Sequence, residues 1–290
     1  MTPEARKSIH SLSFEEVVPF WDAAEKKGGK KQLLEVTREL CQNDLFYLLV
    51  RVCLRRDMLH PWIYARCREV ETDPYGYLDL WAREHYKSTI ITFGKTIQDI
   101  LNDSEITTGI FSHTRPIAKA FLRQIMRELE NNQVLIGAFP DVLWGDKSKD
   151  APKWSEDEGI ILRRKTNPNE ATVEAWGVVD GQPTSKHFKK LLYDDVVVKD
   201  SVTTPEMKLK TMSQLEMSYN LGQVDGVRMM AGTKWDFDDA YRTVLDRQTF
   251  KLPFHPGRQG GEEDGKCVYW PELEHQQKRR DMGPYTYASN

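Results

Sequence analysis

The stretch Trp81-Ala82-Arg83-Glu84-His85-Tyr86-Lys87-Ser88-Thr89 follows an apolar run, Tyr77 to Trp81, and precedes a segment, Ile90 to Leu101, with helical period. A strand, a tight turn and a helix in that order aim backbone N–H groups and the positive end of the helix at one point, the arrangement that cradles a phosphate. Lys87 and Ser88 stand where the pattern G-x-x-x-x-G-K-[ST] places an ammonium for the β- and γ-phosphates and a hydroxyl for Mg²⁺. Trp81 and Tyr86 occupy its two glycine positions, so Tyr86 has to take whatever turn geometry the loop demands. Taken alone, the stretch also reads as an ordinary βα turn with a solvated lysine.

A second feature lies about a hundred residues on. Leu191-Leu192-Tyr193-Asp194-Asp195 is an apolar strand ending in two carboxylates. A nucleotide hydrolase uses such a pair to hold the water shell of the metal with the first acid and to polarise the attacking water with the second. The bland alternative is an acid pair capping the next turn. A third strand, Val227 to Ala231, runs into Gly232-Thr233-Lys234-Trp235 and puts a small hydroxyl residue at its tip. All three features fall at the C-terminal ends of strands, where open α/β sheets place ligands.

The intervening pattern agrees. Thr107 to Ser112 reads as a strand and Arg115 to Glu130 as a long helix, and a helix from about Pro205 to Tyr219 separates the last two strands. Strands alternating with helices of this length predict a mainly parallel sheet with helices on both faces. Ser13 to about Met58 reads as helical, with a break at Gly28-Gly29 and a longer helix from Gln32 to Arg56, forming a small helical cap. Between Pro140 and Gly181 the short pieces Gly159–Leu162 and Ala171–Ala175 predict antiparallel decoration on one edge. Glu272 to Met282 reads as a last polar helix.

Composition narrows the class. In 290 residues, 39% apolar and 29% charged with net charge −3, there is material for a sizeable core but no whole-molecule field to grip nucleic acid. Four scattered cysteines, Cys41, Cys53, Cys67 and Cys267, form no C-x-x-C pair and fit neither a zinc cage nor a disulfide framework. No apolar run approaches the roughly 18 residues that span a bilayer, so no membrane association is expected. The basic residues Arg115, Lys119, Arg123 and Arg127 share one helix face, either tracking nucleic-acid phosphates or simply solvated. Trp62 or Tyr64 is a candidate to stack on adenine, with a core aromatic as the alternative.

Taken in order, these motifs resemble the ATPase half of a tailed-phage terminase large subunit, the DNA-packaging motor. That family favours a phosphate loop close to "P-R-G-x-x-K-S-T", a Walker B strand ending in Asp-Asp or Asp-Glu, and a coupling motif like "G-T-R-W-x-x-x-D", matched here by Gly232-Thr233-Lys234-Trp235 and Asp239. Trp270-Pro271-Glu272 and Met282-Gly283-Pro284-Tyr285 resemble its link to a nuclease. The likeness covers about residues 60 to 290. It implies a P-loop NTPase of the ASCE type, with a helical lid at 1–70, an ATPase core at 71–255 and an extension at 256–290 leading toward a nuclease domain that this chain is expected to lack.

By that resemblance ATP is contacted by Arg83, Glu84, His85, Tyr86, Lys87, Ser88 and Thr89, and Mg²⁺ by Ser88 and Asp194. Asp195 is the base, Arg83 stabilises charge, and Thr233 couples hydrolysis to motion. The implied partners are double-stranded DNA, a portal protein, a small terminase subunit and further copies in a ring. The implied place is the host cytoplasm at the procapsid portal. A neighbouring subunit's arginine is expected in such rings, with Arg163, Arg164 or Lys186 as donors. Departures from the family pattern are the missing glycines, Ala82 in place of proline, and Asp195 in place of glutamate. Two other readings compete: a helicase-like translocase, which would carry a second core, and a degenerate nucleotide-binding scaffold without turnover.

Overall fold

The computed structural model describes residues 9–26, 29–236, 238–262, 265–283 and 287. Among them run eight strands: β1 (Leu78–Trp81), β2 (Thr108–Ser112), β3 (Trp154–Ser155), β4 (Gly159–Ile160), β5 (Val173–Gly177), β6 (Phe188–Asp194), β7 (Gly222–Gly232) and β8 (Phe254–His255). They form one sheet in the order β3-β4-β5-β2-β6-β7-β1-β8. The six strands from β5 to β8 are mutually parallel, and the antiparallel pairs are β3 with β4 and β4 with β5. The fold is therefore mixed α/β with a mostly parallel sheet.

Alternation along the strands builds two apolar layers. On β1, Leu78 and Leu80 enter one layer and Trp81 the other; on β6, Leu191 and Tyr193 enter the first and Leu192 the second. The second layer is covered by the N-terminal helices α1 (Phe14–Glu25), α2 (Lys30–Asn43) and α3 (Pro61–Thr72), with α4 (Lys95–Asn102) and α5 (Arg115–Asn131). On α5 the buried residues Ala118, Leu122, Ile125 and Leu129 recur at helical spacing. The first layer is covered by α6 (Pro205–Ser218), through Leu215, and by α7 (Ala240–Asp246), through Tyr241 and Val244. The last helix, α8, spans Glu272–Met282. Among the described residues no helix is long and apolar enough to cross a membrane.

The structure departs from the sequence reading in several places. Val173–Gly177 pairs antiparallel with β4 at Val173, as expected, but on its other side it pairs in parallel with β2 over five residues, because α5 carries the chain back across the sheet so that both strands run the same way. The helix expected from Gln32 to Arg56 breaks at Asp44, whose carboxylate accepts from the Tyr47 amide and from Trp21 Nε1. A π-helical turn, Leu48–Val52, follows. The two-residue strand β8 and the helix α7 are additional. Gly28, Phe237, Pro284 and Tyr285 lie outside the described residues.

Candidate active site

Strand register brings the predicted tips together. Asp79 on β1 pairs with Ala231 on β7, and Ala231 pairs with Asp194 on β6. One strand thus separates β1 from β6, and neighbouring strands lie about 4.8 Å apart, so the two tips are roughly 10 Å from one another. Long side chains close that gap.

Lys87 closes it from the β1 side. The helix starts at Lys87 and runs through a π-helical stretch, Thr89–Gly94, into α4; π turns are frequent at functional sites. Lys87 Nζ donates to Asp195 Oδ1 at 2.6 Å and lies 3.5 Å from Asp194 Oδ1. Burial opposes the charge on Lys87, but the two carboxylates outweigh it and raise its pKa.

Asp194 is fully buried. Its Oδ2 accepts from the Thr92 hydroxyl, its carbonyl accepts from Ser112 Oγ at 2.7 Å, and Oδ1 has no hydrogen-bond partner. Burial pushes the Asp194 carboxyl up to about 6; Lys87 pulls it down, Asp195 pushes it up, and the Thr92 and Ser88 hydroxyls pull it down. A buried carboxylate oxygen with only a long ion pair to Lys87, beside a serine hydroxyl, fits a hard cation that takes few protein ligands and completes its shell with water and phosphate. The residues present therefore fit Mg²⁺ at Ser88 and Asp194. Among the described residues no cluster of three or more His, Cys, Asp or Glu side chains forms a metal cage.

The loop ahead of Lys87 explains what the absent glycines would have done. Glu84 and Tyr86 both have left-handed backbones, φ +59° and +63°, and Asp195 across the cleft has φ +48°. Such angles cost a side-chain-bearing residue about 1–2 kcal/mol each and persist only when surrounding contacts impose them. Tyr86, at the second glycine position, is imposed from the helical cap and the C-terminal segment. Its hydroxyl donates to Asp57 Oδ2 at 2.9 Å, the Arg55 guanidinium lies 5.4 Å from its ring centre, and Tyr269 packs edge-on at 5.7 Å. Glu84 pairs with Lys278 of α8.

His85 is buried. It sits between Trp62, Tyr269 and Trp270 at 5.3, 5.5 and 4.9 Å, and its Nδ1 meets the Arg83 carbonyl at 2.7 Å. Burial lowers its pKa, so the ring is neutral near pH 7. Trp62 packs on Trp81 at 5.6 Å, and Tyr64 is a core residue whose hydroxyl donates to the Leu12 carbonyl. Both aromatics belong to packed clusters.

The third tip joins through Arg83, whose guanidinium stacks 3.8 Å from the ring centre of Trp235. Asp239 pins that turn: it caps α7 by accepting from the Tyr241 and Arg242 amides, and its Oδ2 faces the Trp235 amide at 3.5 Å. Gly232 is required by close approach, since a Cβ there would lie 2.3 Å from the Tyr241 hydroxyl. Thr233 is buried beside it, and Thr89 is half-buried at the start of the π-helical stretch. Arg163, Arg164 and Lys186 are tied to their own chain: to the Leu143 carbonyl, to the Glu170 and Pro168 carbonyls, and to the Asn169 carbonyl with Glu174.

Sequence reasoning missed Thr92, Asp57, Arg55 and Tyr269. Thr92 follows Ser88 by four residues, the spacing that puts two side chains on one helix face, and that signal was there to be read. No protein-family model matches the chain, and no curated protein matches its sequence.

Proposed function

We propose that the chain is a Mg²⁺-dependent ATPase of the P-loop, ASCE class. The observation that carries this reading is the meeting of Lys87 with the twin carboxylates Asp194 and Asp195 at 3.5 and 2.6 Å, with Oδ1 of Asp194 buried and held by no closer donor than that ammonium. Bound Mg·ATP supplies the phosphoryl group and the charge that neutralises its transfer. Lys87 exchanges Asp195 for phosphate oxygens, Ser88 and Asp194 hold the metal, and Asp195, relieved of its lysine, accepts a proton from water. Arg83 offers a delocalised cation to the equatorial oxygens, and its stacking on Trp235 connects the loop to the turn that begins at Thr233. Glu84, His85, Tyr86 and Thr89 contribute backbone rather than side-chain chemistry: Ile90 N–H donates to the Tyr86 carbonyl at 2.9 Å, and the amides at the helix start ahead of it lack an intrahelical acceptor.

The task of that hydrolysis, moving double-stranded viral DNA into a procapsid beside a portal protein, a small terminase subunit and further copies of the chain, rests on the resemblance of the ordered motifs. The helicase-like and scaffold readings gain no particular observation.

Phosphate release from ATP with Mg²⁺ tests the proposal. The expected result is turnover that Lys87→Ala abolishes; turnover untouched by Lys87→Ala would refute the site.

A further inference from the structure

Tyr86 stands immediately ahead of the helix that begins at Lys87, and its carbonyl accepts from the Ile90 amide at 2.9 Å. With that carbonyl fixed by the helix, the φ of Tyr86 decides where its own amide and the chain ahead of it point. That φ is +63°. Glycine takes such an angle freely, whereas a side chain opposes it. A tyrosine keeps this turn when its far end is gripped.

The grip comes from the helical cap. Asp57 lies in a one-turn 3₁₀ helix, Arg56–Met58, rooted by the wholly buried Met58 and by the Arg55 amide, which donates to the Leu49 carbonyl at 3.0 Å. The Arg55 guanidinium forks onto the Asp57 carboxylate at 2.8 and 3.1 Å and fixes its direction. Asp57 Oδ2 then accepts from the Tyr86 hydroxyl at 2.9 Å. A hydrogen bond to an ionised carboxylate is stronger than one between neutral groups, and this one ties the tip of the tyrosine to a rooted turn. Tyr269 adds edge-on packing against the same ring from the C-terminal segment.

We propose that Asp57 is a positioning residue for the phosphate loop. Acting through the Tyr86 hydroxyl, it does by a tertiary contact what a glycine at that position does by its own conformational freedom. The helical cap thereby becomes part of the nucleotide site without touching the reacting groups. The inference rests on the proposed ATPase reading, which says what the loop is positioned for.

The test is calorimetric binding of a non-hydrolysable ATP analogue with Mg²⁺ across a cycle of variants. Asp57→Ala and Tyr86→Phe are each expected to weaken binding by about tenfold, the worth of one hydrogen bond to a charged group. The two together should lose no more than either alone. Tyr86→Gly is expected to bind more tightly than Tyr86→Phe, since glycine needs no grip to hold the turn, and Asp57→Ala in that background should change affinity no further. Equal losses from Asp57→Ala in the parent and glycine backgrounds would make Asp57 a structural member of the cap alone and overturn the proposal. Parent affinity in Tyr86→Phe would overturn it too, as would a glycine variant that binds no better than the phenylalanine one. Should Asp57→Ala not fold, the comparison of Tyr86→Phe with Tyr86→Gly decides by itself. Failure of the ATPase reading shows separately, as absence of analogue binding by the parent chain, and takes this inference with it.

Discussion

Lys87 and Asp195 hold each other at 2.6 Å, one from the loop after β1 and the other from the tip of β6. The lysine that would bind phosphate and the acid that would activate water are thus each other's partner before any ligand arrives. A phosphate has to displace the carboxylate from the ammonium.

Asp195→Asn should therefore separate binding from turnover. Removing the charge frees Lys87, so an ATP analogue binds several-fold tighter by calorimetry. Hydrolysis falls by about 10²-fold or more, because the general base is lost. Equal losses in both measurements would mean that Asp195 only builds the pocket.

The left-handed backbone at Glu84 gives a stability prediction. Glu84→Ala and Glu84→Gly both delete the exposed pair with Lys278, which is worth about 0–1 kcal/mol. Only glycine also relieves the φ of +59°. Glu84→Gly should be more stable than Glu84→Ala by about 1 kcal/mol in denaturant unfolding. A glycine variant no more stable than the alanine one would remove backbone strain from the account.

Arg83 and Trp235 join two strand tips, so their effects on turnover should not add. Arg83→Ala and Trp235→Ala each lower kcat/KM, and the double variant should fall short of the summed free energies by about 0.5–2 kcal/mol, the worth of a stacked cation–π pair. Additive effects would leave the two tips uncoupled.

Stability should fall as pH rises through the acid range. Burial, first of all, pushes Asp79 on β1 from 3.8 up to about 7, with the Trp81 indole pulling it down, and Asp194 is raised to about 6. A carboxyl whose folded pKa exceeds its unfolded value contributes stability that is full below pH 4 and is lost as pH rises through the folded value. For Asp79 that window runs from about pH 4 to 7. Thermal melts of Asp79→Asn should lose much of this slope; a slope as steep as the parent's would assign it to other groups.

The parts of this architecture carried by local pattern were legible in the sequence. β1, β2, β6 and β7 were marked by apolar runs, and Lys87, Ser88, Asp194 and Asp195 by their place at strand ends. The parallel pairing of Val173–Gly177 with β2 was not legible because a five-residue strand does not reveal whether a crossover precedes it. β8, with two residues, has no period at all. The contacts that hold Tyr86 in its left-handed turn come from Asp57 and Tyr269, 29 residues before and far after it, and no local spacing announces such partners. The burial of His85 has the same character, since Trp270 and Tyr269 cover it from a distant segment.

Calorimetric titration of the chain with a non-hydrolysable ATP analogue, with Mg²⁺ and then with EDTA, bears most directly on the pocket formed by Lys87, Ser88 and Asp194. Binding that requires Mg²⁺, disappears in Lys87→Ala and loses its metal dependence in Asp194→Asn is the predicted result. Binding of equal strength with and without the metal, or no binding by the parent chain, would contradict it.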